Sequence, residues 1–147
     1  MSARLTAEAA RAAVDAATSA AAARGLAVTV VVLDDAAVPT RLARMNGARA
    51  LSVDLATRKA ETAARTGRAT HEWAGMLRGD EDLARSALAS MPGLVLFGGG
   101  VPIHRFDAVI GAIGVSGAAQ EEDQQLAEQA VAALLRQLTQ EEGSDDD

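Results

Sequence analysis

Two histidines, one lysine set in an apolar helix face and a few aspartates are the side chains of this sequence best suited to chemistry. His71 and His104 stand 33 residues apart. "HEWAG" at 71–75 lacks the second histidine that a helical H-E-x-x-H zinc site needs, and the absence of cysteine excludes thiolate metal sites, thiol nucleophiles and disulfides. His71, in a polar helix start after Gly67 and Thr70, reads as a surface histidine. His104 lies beside the glycines of "GGGVPI". There one neutral imidazole is a sufficient axial ligand for haem iron, or a general acid or base near neutral pH, or a purely structural side chain. Lys59 either snorkels to solvent or sets an ammonium beside a ligand carboxylate. Asp34 and Asp35 end a buried strand, where turn carboxylates bond nearby amides, and Arg44 on the next strand is within reach of pairing with either. "GVSGA" at 114–118 approaches a nucleophile elbow, but no histidine follows His104 to complete a triad. Ser116 therefore reads as a helix-entry hydroxyl. "GGGVPI" runs into a strand instead of a helix, and the helix after "GAIGVSG" opens on Glu121, Glu122 and Asp123, so neither stretch is a phosphate cradle.

The elements that must position these residues follow from periodicity. Residues 5–24 read as a helix with Thr6 as N-cap and Gly25 as stop. "LAVTVVVLD" at 26–34 is a central buried strand, "DAAVP" a turn, and "TRLARM" at 40–45 a second strand with Pro39 at its edge. "NGA" at 46–48 breaks it. A helix spans 50–66, two short helices follow in "HEWAGMLRG" and "DEDLARSALAS", and three strands lie in "GLVLF" (93–97), "VPIHRF" (101–106) and "AVIGAIGV" (108–115). A last helix covers 119–140, with "EEGSDDD" as a disordered acidic tail over 141–147. Short connections require antiparallel pairing. The expected class is α+β, a five-stranded antiparallel sheet carrying helices on its faces.

With 147 residues the chain suits one domain, over 1–140. Aromatics are 2% of the residues and tyrosine is absent, so Ala, Val, Leu and Ile must build the core. Such thin faces favour self-association, as a dimer or a larger even-numbered assembly. A net charge of −6 with dispersed basic residues argues against nucleic acid. No signal-like or membrane-spanning stretch is apparent, so a cytoplasmic protein is expected.

Taken together, "VTVVVLD", "RLARMNGA", "DLATRKAETA", "GGGVPI" and "VIGAIGVSGA..EED" resemble the GlcG-like haem-binding and haem-degrading family. That family includes a domain fused to some cobalamin adenosyltransferases. The resemblance spans roughly residues 5–136. It implies a profilin-like fold with helices on both faces of the sheet, homo-oligomers, and a small-molecule ligand, with haem the first candidate. Arg44, Met45, Asn46 and Lys59 are then expected to face Gly98, Gly99, Gly100 and His104 across one cavity, with His104 as the metal-binding residue. Three departures fall at this presumed pocket. Asn46 replaces the usual aspartate of "RMDGA", Phe106–Asp107 replaces a glycine turn, and the first helix and first two strands lack histidine. They favour another reading, a cofactor-independent isomerase, cyclase or lyase of a bacterial catabolic or biosynthetic pathway. Its acid and base would come from His104, Asp107, Asp34 or Lys59. An accessory or scaffold protein is a third reading.

Overall fold

A computed structural model describes residues 4–145. Helix α1 (Ala7–Ala23) leads into strands β1 (Thr29–Asp34) and β2 (Pro39–Arg44). Helices α2 (Leu51–Thr66), α3 (Thr70–Leu77) and α4 (Glu81–Ser90) follow, then β3 (Gly100–Arg105), β4 (Ala108–Ser116) and α5 (Gln120–Asp145). The strands form one antiparallel sheet in the order β2-β1-β4-β3. Central β1 is buried on both faces. Val30 and Val32 pack with α1 and α5, while Val31 and Leu33 pack with Ala56, Ala60 and Ala63 of α2. Alanine makes both helix layers thin. Ala9, Ala13, Ala17 and Ala21 of α1 lie in the same core as Ala127 and Ala130 of α5. On the other face, a side chain at Gly114 would collide with the carbonyl of Ala56. The helix backbone thus rests directly on the sheet.

Among the described residues the sheet has four strands, one fewer than expected. "GLVLF" at 93–97 is irregular because its backbone finds side-chain partners elsewhere. The Val95 amide donates to Thr62 Oγ1 of α2 (3.1 Å), and Gly98, just past the segment, donates to Gln120 Oε1 of α5 (3.2 Å). The outer edge of β3 offers no ladder to join. Thr70 engages both the amide and the carbonyl of Gly100, and Pro102 has no N–H to donate. At the opposite edge, exposed Pro39, Arg41 and Arg44 guard β2 against pairing with another strand.

The acidic tail also differs from expectation. Helix α5 continues through Asp145, and positions 146 and 147 lie outside the described residues. Two carboxylates tie this extension to the body. Thr6, which caps α1 through the Ala9 amide, donates its hydroxyl to Glu141 (2.9 Å), and Glu142 pairs with Arg105 (2.9 Å). A cluster of acids that looks solvated in sequence is anchored by partners more than thirty residues away.

Candidate functional site

The glycine triplet is held by side chains on all sides. Gly98, Gly99 and Gly100 donate their amides to Gln120, Gln124 and Thr70 respectively. With every amide engaged, the triplet has none left to cradle an anion. Glycine is required here by proximity. A methyl group on Gly98 would sit 2.6 Å from the Gln120 carbonyl oxygen, and one on Gly99 or Gly100 would overlap Lys59 and its surroundings. Gly99 also has φ +129°, which side-chain-bearing residues rarely adopt.

Lys59 explains the closeness. Its side chain is 1% exposed and runs through the interior beneath the triplet. Nζ donates to Asp123 Oδ2 and to the Val115 carbonyl, each at 3.0 Å, and stands 5.1 Å from the Phe97 ring centre. The other oxygen of Asp123 accepts the Ala118 amide (3.0 Å), and Glu122 accepts that of Ala119. These carboxylates, instead of Ser116, satisfy the entry to α5. Burial lowers the Lys59 pKa, with the attraction of Asp123 opposing the shift. Burial likewise raises that of Asp123, with Lys59 opposing. This ammonium is buried from solvent. It fastens α2, β4 and α5 together.

An open groove lies beside this corner, along β3 from Val101 to His104. A cavity of about 270 Å³ is lined by both histidines, His71 from α3 and His104 from β3. Val101, Pro102 and Ala69 give it apolar wall, Arg68, Glu72 and Glu128 a charged rim, and Gln124 its inner end. A second cavity of about 380 Å³ shares His71, Gln124 and Glu128 and continues past Gly98 and Gln120 to Arg78. Gln124 is fixed in orientation, because its oxygen accepts the Gly99 amide and its nitrogen donates to Glu128 (3.0 Å). A register shift at Ile103/His104 sets the direction of His104 at the β3 edge. Both imidazoles are exposed. Among the described residues no three His, Cys, Asp or Glu side chains converge on one point as a bare metal ion would require, whereas haem iron needs only an axial imidazole.

The other expected site residues are spread over the molecule. Arg44, Met45 and Asn46 lie at the end of β2, with β1 and β4 between them and β3, so within one protomer they do not face His104. Arg44 stands opposite Thr29, at the other end of β1 from Asp34, and the supposed pairing with that aspartate does not form. Met45 packs into the core with its sulfur 3.5 Å from the Val28 amide. Asn46 is exposed in the turn before Gly47. Asp34 is the turn carboxylate anticipated, accepting the Ala36 and Val38 amides. Asp107 is exposed at the β3–β4 turn. Lys59 touches the glycine triplet but is sealed from His104. His104 and Asp107 share the β3–β4 hairpin end, while Lys59 is held in its buried ion pair. Asp123, Gln124 and Thr70 are the structural and groove residues that sequence reasoning missed, and His71, read as a surface histidine, is exposed on the groove. Only the proximity of Asp123 to the glycine-rich strand end hinted at any of them.

A family model described as haem degrading protein HbpS-like matches residues 5–132. The chain belongs to this HbpS-like family. In solved structures it is similar to a double mutant of HbpS from Streptomyces reticuli, at 36% identity and TM-score 0.80, covering 91% of this chain and 89% of that one. It is also similar to a PduOC:haem complex, at 31% identity and TM-score 0.82, covering 88% and 94%. A corrinoid adenosyltransferase, PduO of Salmonella typhimurium, is 34% identical over 107 residues, which are 73% of this chain and 32% of that protein. The chain thus matches about a third of the adenosyltransferase, consistent with an HbpS-like domain fused to other sequence.

Proposed function

We propose that this HbpS-like chain binds a small planar ligand, haem first, in the groove between α3, β3 and α5, with His104 as the axial imidazole. The observation that carries this reading is the placement of both histidines on one groove with an apolar wall. The donor chemistry suits haem. A neutral imidazole ligates iron, Val101 and Pro102 offer an apolar surface to a macrocycle, and Arg68 is the rim cation for a propionate. Bound haem would supply a redox-active iron. The chain would supply an imidazole nitrogen from His104, an apolar wall from Val101 and Pro102, and a charge partner in Arg68. His71 lines the same cavity and is the second imidazole available to the ligand. Similarity to a haem complex of the family supports the choice of ligand. The competing acid–base enzyme has less support, since Lys59 is sealed in an ion pair and Asp34 holds a turn. The functional form would be a cytoplasmic homo-oligomer. Among the described residues no helix is long and apolar enough to cross a membrane.

Single variants separate the roles of the two imidazoles. His104→Ala is expected to abolish or blue-shift the Soret band of the haemin-loaded protein, with far-ultraviolet circular dichroism unchanged, because the residue is exposed and supports no core. His71→Ala is expected to weaken binding less. An unaltered spectrum and affinity in the His104 variant would remove His104 as the ligand.

A further inference from the structure

Helix α4 is amphipathic yet buries none of its ten residues. At 100° per residue, Leu83, Ala84, Ala87 and Leu88 share an arc of about 140°, and Met91 follows as the C-cap residue. Asp82 points away from that arc, and the Glu81–Arg85 ion pair lies outside its edge. Leu83, Leu88 and Met91 are each about half exposed, at 50, 49 and 45%. A helix of this length is marginal in water without a partner. The uncovered apolar surface is on the order of a few hundred Å², a patch of the size that marks interaction sites.

The sequence of the patch identifies what covers it. Residues 83–88 read Leu-Ala-Arg-Ser-Ala-Leu, the same apolar pattern in either direction. Consider two copies of α4 laid antiparallel about a two-fold axis between Arg85 and Ser86. Leu83 of each then meets Leu88 of the other, and Ala84 meets Ala87. Small residues at the centre let the helix backbones approach while leucines close both ends, an arrangement complementary only to itself. Asp80, the N-cap, falls in the same arc and stands opposite Met91 of the other copy, so no like charges face each other, and antiparallel helix dipoles attract. A standard interface buries about 800 Å² per partner, and this patch supplies a substantial part of it. We infer that α4 is the two-fold contact through which this chain pairs with a second copy of itself.

The test uses the intact chain, which has no native cysteine. Purified Leu83→Cys and Leu88→Cys proteins are oxidised separately and as an equimolar mixture. The pairing places position 83 opposite 88 of the second copy, so the mixture should form several-fold more disulfide-linked dimer than either protein alone. Light scattering of the native chain at micromolar concentration should give a dimer mass or a multiple of it, and Leu88→Glu should halve that mass with helix content retained. A monomeric native chain overturns the proposal. So does an oligomer whose mixed cysteine variants cross-link no better than the separate ones, because its interface would then lie elsewhere.

Discussion

Lys59 and Asp123 form a buried ion pair, two charges withdrawn from water and 1% and 3% exposed. Removing one partner strands the other, so Lys59→Met or Asp123→Leu should each lose about 3–5 kcal/mol in urea unfolding. The double variant Lys59→Met/Asp123→Leu should recover most of that loss, since an apolar pair of similar volume avoids the desolvation. The pH dependence has a definite sign. Asp123 has a raised folded pKa, so its contribution to stability is full below its unfolded value of 3.8 and is lost as pH rises through the folded value. Lys59 has a lowered folded pKa, so its contribution is full above 10.5 and is lost as pH falls through the folded value. The native chain should therefore be least stable, relative to the double variant, near neutral pH, as unfolding curves across pH would measure. A lysine inside an apolar helix face is conspicuous in the sequence, but its partner is not. Sixty-four residues separate the two, and Asp123 looks like an ordinary first-turn acid. Likewise His71 and His104 give separate signals, and only the packing of α3 against β3 brings them to one groove.

The β3–β4 hairpin shows how an element is decided by its turn. Phe106 and Asp107 both have positive φ, at 50° and 62°, as a two-residue type I′ connection demands. Phenylalanine is strained in that backbone, and the Arg105 guanidinium 4.7 Å from its ring offsets part of the strain. Phe106→Asn with Asp107→Gly should stabilise the chain by about 1 kcal/mol, read as a higher thermal midpoint. A lower midpoint would show that Phe106 makes contacts worth more than the strain. The two strands flanking this turn are plain in the sequence because β-branched residues and short spacing leave few alternatives. The strand expected over residues 93–97 fails for the opposite reason. Their apolar composition fits a strand, but whether a strand forms depends on a free neighbouring edge, and Thr70 and Pro102 deny one. The C-terminal boundary fails similarly, since Glu141 and Glu142 owe their order to Thr6 and Arg105.

At the scale of the whole molecule, alanine-lined helices on a valine-rich sheet make a frame that carries the histidine-lined groove, and the frame is more legible than the groove. Block order alone indicates the family, because five short motifs keep their order and spacing along nearly the whole chain. The groove is built from a loop end, a short helix, an edge strand and one helix face, whose convergence no local pattern records. The direct test of the account is titration of the purified chain with haemin, followed by visible spectroscopy. The predicted result is a saturable Soret band with at most one haem per chain that His104→Ala abolishes or blue-shifts. A titration showing only the non-saturating background of free haemin would contradict the account.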